Sequence, residues 1–300
     1  MIAVHIESGA TLIRGTEIPN RPAGYALLRT RIAGICNTDL ELQRGYYGFS
    51  GTPGHEFVAD VVAADTPSLV GRRVVGEINL ACGCCKFCAR QLGRHCTNRS
   101  VLGIVKHPGA FAEYFTLPEG NLHLLPDSIP DQEAVFIEPL AAACEVLDQV
   151  TIPSGEEVAV LGGGKLGTLI ARVLEVHGAH VTVFGRHTAK PPRDYKFVVD
   201  ASGSPAGLKD AITMVEPRGT VIMKSTIQGD VAIDTARIIV NEITLVGSRC
   251  GRFEPAIAML RNREVDVRPM ISAKFPLEQA EAAFILAAKP GVLKVLLSPE

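Results

Sequence analysis

The chain has 300 residues, of which 47% are hydrophobic and 21% charged, so it can bury a sizeable core and is not a small disulfide-stapled scaffold. Thirty Lys and Arg against 32 Asp and Glu give a net charge of −2, which excludes the strongly basic character of nucleic-acid or anionic-membrane binders. No apolar run approaches the roughly 18 residues of a membrane span, and the first residues lack a signal-peptide core. We therefore expect a cytoplasmic protein of two domains, with no nucleic-acid or membrane partner.

Residues 1–142 consist of short apolar stretches separated by turn residues. Glu56–Val62 and Arg73–Glu77 are two such stretches, and clusters of Gly, Pro and Asn such as His107-Pro108-Gly109 punctuate the segment. Short strands between turn signals predict a β-rich, barrel-like domain.

Residues 143–269 change to an alternation of strand and helix. Glu157–Leu161 and His180–Phe184 are short apolar strands, and Lys165–His177 between them carries apolar residues at helical spacing. This alternation predicts an α/β domain with a parallel, doubly wound sheet. Residues 270–300 contain a predicted helix, Leu277–Ala287, and a predicted strand, Val292–Leu297, which we expect to return to the first domain.

The connection after the second strand of this domain is short. A doubly wound half normally continues through a helix and a third strand, but only the eleven residues Gly185–Tyr195, with Pro191-Pro192 among them, precede the next strand. At about 3.3 Å per residue they span roughly 36 Å, enough to cross the sheet but too little for a helix and a strand. We therefore predict a sheet shortened by one edge strand and its helix, with His180–Phe184 at or near the edge.

Five of the eight cysteines lie between positions 82 and 96. Cys82, Cys85, Cys88 and Cys96 have the spacing C-x2-C-x2-C-x7-C, and Cys84 is left over. Four thiolates on a tight loop supply the closed tetrahedral shell of a structural zinc ion. The alternative is a solvent-facing loop of reduced cysteines. The polar neighbours of these cysteines argue against their burial as small hydrophobic residues.

A second group of metal-ligating residue types is spread along the first half of the chain. Cys36 lies in Gly34–Asp39, His55 and Glu56 follow Gly54, and Glu138 is an acid within the apolar stretch Ala134–Ala143. An unpaired carboxylate in such surroundings is costly. Cys, His and Glu ligands with one exchangeable position are what catalytic zinc requires.

A glycine-rich sequence follows the strand Glu157–Leu161 and opens a helix. Gly162, Gly164 and Gly167 form G-x-G-x-x-G, with Lys165 and Leu166 inside it. Glycines allow a sharp turn and close approach to a pyrophosphate, which the positive helix N-terminus attracts. In this strand–helix context the motif predicts a dinucleotide site.

Taken together, these motifs resemble the zinc-dependent medium-chain dehydrogenase/reductase family over essentially the whole chain. The motifs that carry the resemblance are Gly-Ile-Cys-x-Thr-Asp at 34–39, Gly-His-Glu at 54–56, the cysteines at 82–96, Gly-Ala-Phe-Ala-Glu-Tyr at 109–114 and Glu-Pro-Leu-Ala at 138–141. The resemblance implies a GroES-like catalytic domain joined to a Rossmann-type domain, and a homodimer or homotetramer. Glu138, in place of a cysteine, is similar to the polyol, sugar and threonine dehydrogenase branches.

The resemblance also implies roles for individual residues. Cys36, His55 and Glu138 would bind the catalytic zinc, and Glu56 would be a fourth ligand that exchanges with water or substrate. Asp39 would accept a hydrogen bond from the ring of His55, a role compatible with capping the start of a helix. Thr38 would bind the substrate oxygen and begin a proton relay, with a capping hydroxyl as its alternative.

The choice of nicotinamide cofactor is read at the end of the second strand. NAD-dependent enzymes usually place an acid there for the ribose hydroxyls, whereas this chain has Gly185, Arg186 and His187, with Lys190 and Arg193 nearby. Arg186 can hold a 2′-phosphate in a charge-assisted contact. The sequence predicts a preference for NADP(H), and the alternative is a solvated basic loop that accepts both cofactors.

The sequence thus predicts an oxidoreductase with two zinc ions per chain. It would transfer a hydride between NAD(P) and an alcohol, polyol or sugar hydroxyl or carbonyl, on a small-molecule substrate. Three alternatives remain: a dehydrogenase of a large specialised metabolite or pigment, a catalytically inactive nucleotide-binding relative, and a purely structural zinc protein. The shortened sheet suggests the second of these.

Overall fold

A computed structural model describes residues 1–186, 188, 195–227 and 229–299, without the side chains of Leu12 and Tyr47. The chain divides into two units, Met1–Glu138 with Ile257–Glu300, and Pro139–Ala256. The sequence predicted domain boundaries after residues 142 and 269. In the structure the boundaries between the two units come earlier, after Glu138 and after Ala256, and each lies inside a helix.

Numbered along the chain, the strands are β1 (Ile2–Glu7), β2 (Ala10–Gly15), β3 (Tyr25–Gly34), β4 (Glu56–Ala63), β5 (Arg73–Gly76), β6 (Asn79–Leu80), β7 (Ser100–Val101), β8 (Tyr114–Pro118), β9 (Leu122–Leu124), β10 (Glu157–Leu161), β11 (His180–Phe184), β12 (Tyr195–Asp200), β13 (Val215–Met223), β14 (Thr244–Gly247), β15 (Ile271–Pro276) and β16 (Lys294–Ser298). The α-helices are α1 (Asn37–Gln43), α2 (Lys86–Ala89), α3 (Asp131–Ala134), α4 (Ile137–Gln149), α5 (Lys165–Val176), α6 (Pro205–Met214), α7 (Thr235–Val240), α8 (Phe253–Arg261) and α9 (Ala280–Ala287). Short 3₁₀ turns occur at Tyr46–Gly48, Pro67–Leu69, Gly93–His95, Glu119–Asn121, Arg268–Met270 and Leu277–Gln279.

The first unit is built on a mixed sheet whose strands follow the order β15-β16-β3-β4-β5-β9, with β8 also paired to β3. The long strand β3 alternates buried and more exposed residues along most of its length, as expected for a sheet with one face toward a core. The C-terminal strand β16 runs antiparallel to β3, with Leu296 opposite Gly34, and β4 runs antiparallel on the other side, with Glu56 opposite Gly34. Residues from the two ends of the chain therefore meet at Gly34.

The second unit contains a five-stranded parallel sheet in the order β11-β10-β12-β13-β14. Its central strands are buried apolar runs, as expected when helices cover both faces of a parallel sheet. Relative to the doubly wound order 3-2-1-4-5-6, the described strands lack the third. Within the described residues β11 lies at the sheet edge, in agreement with the predicted shortened α/β fold.

None of the helices described combines the length and the apolar character that crossing a membrane requires.

Candidate metal and dinucleotide sites

Three side chains from two segments of the first unit, one carrying Cys36 and the other the adjacent His55 and Glu56, come together in a small cluster. One donor atom each from Cys36, His55 and Glu56 lies within 4.8 Å of the other two. His55 and Glu56 are buried, whereas Cys36 is partly accessible. The cluster thus offers a thiol, an imidazole and a carboxylate at one point with limited access to solvent.

The local fold explains how these residues meet. Cys36 precedes the first residue of α1, and Asp39 in the first turn accepts a hydrogen bond from the Cys36 N–H at 2.8 Å. The other carboxylate oxygen of Asp39 accepts from the Gly54 N–H at 3.2 Å. One fully buried carboxylate therefore ties the loop that carries Cys36 to the segment that carries His55. Asp39 caps the helix start, as one of its two predicted roles requires.

Asp39 also faces the ring of His55. The Nδ1 atom of His55 lies 3.4 Å from Asp39 Oδ1, a long contact that does not form a well-directed hydrogen bond. Burial lowers the pKa of His55, but Asp39 and Cys36 raise it by more, so this pKa lies well above its usual value. The groups that attract a proton to this ring attract a metal cation in the same way.

Two buried polar atoms of the cluster have no hydrogen-bond partner within the described chain. They are His55 Nδ1 and Glu56 Oε1. The first of these atoms faces Asp39. For Glu56 Oε1, the lack of a partner indicates an absent ion or water molecule, because unpaired buried polar atoms are rare. Thiolate, imidazole and carboxylate are all zinc ligands, so the donor set fits a zinc ion.

The sequence interpretation missed a buried lysine beside this cluster. Lys294, the first residue of β16, forms an ion pair with Glu56 Oε2, and its side chain is 2% exposed against 1% for that of Glu56. Burial lowers the pKa of Lys294, while Glu56, Cys36 and Glu138 raise it by more, and the net direction is upward. A lone charge in the apolar stretch Val292–Leu297 was the signal that could have identified it.

Glu138 occupies a different position from the other predicted ligands. It is the second residue of α4 and is partly buried. Its carboxylate is outside the group of mutually close donor atoms formed by Cys36, His55 and Glu56. Its charge nevertheless acts on Lys294, so it borders the same site. Its role as a ligand stays a prediction.

Thr38 lies beside the thiol of the cluster. Its Oγ1 is 3.8 Å from Cys36 Sγ, and the side chain is partly buried in the first turn of α1. The described contacts of its hydroxyl include no capping bond to the helix backbone. The hydroxyl is therefore placed beside the thiol of the cluster, on a residue that is partly accessible to solvent.

Four cysteines form a second cluster between β6 and β7. The donor atoms of Cys82, Cys85, Cys88 and Cys96 lie within 4.8 Å of one another. Four of the sulfur–sulfur distances among them are 3.4, 3.5, 3.7 and 4.0 Å. A tetrahedral zinc site with Zn–S bonds of about 2.3 Å has sulfur–sulfur edges of about 3.8 Å. The geometry suits a closed four-thiolate site.

The backbone around this loop favours the thiolate form of one cysteine. Hydrogen bonds from the Cys84 N–H, the Cys96 thiol and the Cys85 N–H lower the pKa of Cys82 to about 6. Desolvation and the neighbouring thiols raise the pKa of Cys88 to about 11. These hydrogen bonds favour the thiolate form of Cys82, which is the form that binds metal. Cys84 is exposed, and its sulfur lies 3.7 Å from that of Cys82, outside the group of four.

The predicted dinucleotide motif forms the turn between β10 and α5. Gly162 has φ of +108°, which L side chains rarely adopt, and a Cβ there would lie 2.5 Å from Ala201 O. A Cβ at Gly167 would collide with Gly162 O, whereas one at Gly164 would meet open space. Gly164 precedes the first helical residue, Lys165. The glycines thus serve the turn, the helix–strand contact and an open helix N-terminus.

These contacts predict different effects for two alanine substitutions in the motif, one on stability and the other on dinucleotide binding. Gly167→Ala forces the backbone apart at Gly162 and is expected to lower the melting temperature by roughly 5 °C. Gly164→Ala meets no protein atom, so we expect an unchanged melting temperature but weaker dinucleotide binding, because its Cβ enters the space for a pyrophosphate. Thermal unfolding with and without NADPH measures both effects. Equal melting temperatures for the two variants would contradict this account.

The predicted cofactor-selecting residues lie after β11. Gly185 donates from its N–H to Thr188 Oγ1 at 3.0 Å, and the exposed Arg186 lies within this turn. His187 and Lys190, which were predicted to bind the cofactor, and Arg193 lie outside the described residues. No acid follows β11 in the described part of this turn.

Comparison with known proteins gives three kinds of similarity. Residues 22–127 match the family model of the alcohol dehydrogenase GroES-like domain. The chain is 29% identical to the D-altritol 5-dehydrogenase of Agrobacterium fabrum over 98% of both chains, and 26% identical to the sorbitol dehydrogenase of Halalkalibacterium halodurans over 91% of both. It is also similar to a solved structure, a candidate zinc-binding dehydrogenase of Sinorhizobium meliloti 1021 bound to NADP, with a TM-score of 0.91, 26% identity and 99% of both chains covered.

Proposed function

We propose that the chain is a zinc-type medium-chain alcohol dehydrogenase, which transfers a hydride between NAD(P) and an alcohol, polyol or sugar hydroxyl, or the corresponding carbonyl; the similarities just described support this proposal. The observation that carries the proposal is the cluster of Cys36, His55 and Glu56, with the unpartnered buried Oε1 of Glu56. Relatives that act on altritol and sorbitol support a polyol or sugar as the substrate class.

We assign the catalytic zinc to Cys36, His55 and Glu138, with Glu56 as an exchanging ligand. A zinc ion held there would supply a Lewis acid for the substrate oxygen. The chain's own contribution is to fix this site: Asp39 ties the Cys36 loop to Gly54, and burial of His55 and Glu56 limits the access of water. A second zinc ion would bind Cys82, Cys85, Cys88 and Cys96 and stabilise their loop.

Thr38 and the glycine motif would handle the substrate and the cofactor. The Thr38 hydroxyl, beside Cys36, would hydrogen-bond the substrate oxygen and carry its proton toward solvent. Gly162, Gly164 and Gly167 would leave room for the pyrophosphate at the start of α5, with Lys165 and Leu166 in the first turn. The nicotinamide supplies the hydride chemistry, and the protein supplies binding and orientation.

The test of this function is a screen of NADPH and NADH oxidation with diverse carbonyls, polyol- and sugar-derived ketones among them. We expect turnover with at least one of them, and a loss of turnover on removal of the metal. A second function, tight nucleotide binding without catalysis, is favoured by one observation, the shortened sheet with β11 at its edge. Nanomolar NADPH binding by a zinc-loaded protein that turns over no carbonyl or alcohol would support that second function.

We further propose a preference for NADP(H), based on Arg186 and the absence of an acid in the described turn after β11. Arg186→Ala is expected to raise KM for NADPH by roughly tenfold and to leave KM for NADH unchanged, because only NADPH carries the 2′-phosphate. Arg218→Ala, which removes an exposed arginine near the amino end of β13, is the matched control. Comparable kcat/KM values for NADH and NADPH in the unmodified protein would contradict the preference.

Cytoplasmic localisation and a homodimer or homotetramer stay predictions. No disulfide joins any of the eight cysteines, all of which lie within the described residues, and five of them lie in one loop. This pattern favours a reducing compartment, where clustered thiols bind metal rather than form disulfides. Light scattering of the purified protein measures the oligomeric state.

A further inference from the structure

The ion pair of Lys294 and Glu56 is buried to a degree that is unusual for either residue type. Both side chains are almost inaccessible, and the ammonium also lies 5.6 Å from the centre of the Phe136 ring. The acidic side chains of Glu56, Cys36 and Glu138 all act on this cation. A buried pair is weak evidence for stability, because desolvation of both charges offsets their attraction. Its position beside a metal cluster therefore calls for a functional reason.

The sheet brings the pair together across one glycine. Lys294 begins β16 and Glu56 begins β4, and both strands pair with the end of β3 at Gly34. A Cβ on Gly34 would lie 2.7 Å from Glu56 Oε2, 2.7 Å from Val135 Cγ1 and 3.1 Å from Lys294 Cδ. The space above the middle strand is thus occupied by the ion pair itself, and the two side chains have little freedom to separate.

The two oxygens of Glu56 have different surroundings. Oε2 accepts from Lys294, while Oε1 is buried without a partner in the described chain. Glu56 is also one of the three mutually close donors of the cluster. The carboxylate that binds the ammonium is therefore also the one that could bind a metal ion. If Glu56 bound the metal continuously, it would fill the position that a catalytic zinc site must leave to substrate.

We propose that Lys294 is a positioning residue that holds Glu56 and thereby keeps one coordination position of the Cys36–His55 metal site open to exchange. This inference rests on the proposed function, because it assumes that a metal ion binds at this cluster. It assigns to Lys294 a role that acts through Glu56, without contact between Lys294 and the substrate. Lys294→Met, which keeps the length of the side chain and removes its charge, should leave Glu56 as a permanent ligand and close the site.

The test uses the full chain with cobalt in place of zinc, and imidazole as an added ligand. The cobalt ion at the Cys36 site is identified by the part of the visible spectrum that disappears in Cys36→Ser. In the unmodified protein, imidazole should change this part of the spectrum. In Lys294→Met, the same change should need an imidazole concentration about tenfold higher or more. In Lys294→Met, the rise in melting temperature on metal binding should also be larger than in the unmodified protein. The reason is that the metal ion then pairs with the Glu56 carboxylate, which has lost its ammonium partner. Lys274→Met removes an exposed lysine from the neighbouring strand β15 and should change neither quantity.

The double variant Glu56→Gln with Lys294→Met separates positioning from folding. It removes both charges of the pair, so it should fold even if Lys294→Met does not, and imidazole should again reach the cobalt at the concentration that the unmodified protein needs. A purely structural role predicts no such rescue. This inference alone would be overturned if Lys294→Met needed no more imidazole than the unmodified protein. It would also be overturned if the double variant needed as much imidazole as Lys294→Met. If the unmodified protein shows no cobalt spectrum that depends on Cys36, both the proposed function and this inference fail.

Discussion

Cys36→Ser is expected to lower kcat/KM by at least roughly 10³-fold, since a Lewis acid supplies several kcal/mol of transition-state stabilisation and each 1.36 kcal/mol is a factor of ten. The fold should remain, because the partly accessible Cys36 is not part of the apolar core and the hydrogen bond that ties its loop runs from its backbone N–H to Asp39. Steady-state kinetics and circular dichroism measure the two effects together.

His55→Ala should have the same kinetic effect, with a larger loss of stability because its side chain is 3% exposed. Cys84→Ser serves as the control for loss of a thiol, since Cys84 belongs to neither cluster of donors. Turnover retained in folded Cys36→Ser or His55→Ala would rule out a metal-dependent mechanism at this site. A loss of turnover in Cys84→Ser would show that thiol substitutions act by another route.

Cys96→Ser is expected to remove the second metal ion and to lower the melting temperature by about 10 °C, because binding of a structural zinc ion contributes directly to folding free energy. Cys96 is the buried member of its cluster, and its sulfur lies 3.4 Å from that of Cys82 and 3.7 Å from that of Cys85. Its loss leaves three thiolates, too few for a closed tetrahedral shell. Thermal unfolding and limited proteolysis of the loop at 82–96 measure the effect.

The matched control is again a neighbouring cysteine. Cys84→Ser changes an exposed thiol two residues from Cys82 and should leave the melting temperature and the metal content unchanged. The chelator resistance of this site should exceed that of the Cys36 site, because a full shell offers no open position. A Cys96→Ser variant with the stability and zinc content of the unmodified protein would contradict a structural zinc ion in this loop.

Local sequence determined several features that the structure contains. The spacing of Cys82, Cys85, Cys88 and Cys96 predicted a cluster because cysteines so close along the chain have few ways to lie apart. The short Gly185–Tyr195 connection predicted the edge position of β11 because a chain of that length cannot form a helix and a strand. In both cases the argument depends on residues near one another in sequence.

The sequence alone did not predict contacts between residues that are far apart along the chain. Lys294 and Glu56 are 238 positions apart, and their contact requires both the order β16-β3-β4 and the register that sets them on either side of Gly34. The strand β15 was also missed, although Ile271, Ala273 and Phe275 alternate with polar residues; none of its residues is fully buried. The predicted helix Leu277–Ala287 begins with a 3₁₀ turn, Leu277–Gln279, before α9.

We propose that this chain holds one metal ion at Cys36 and His55 for hydride transfer, and another in the cysteine loop. The most direct test is the zinc content of the purified protein and of its Cys36→Ser variant, by elemental analysis. We expect two zinc ions per chain in the unmodified protein and one in Cys36→Ser. One zinc ion in both proteins would contradict the assignment of the catalytic site.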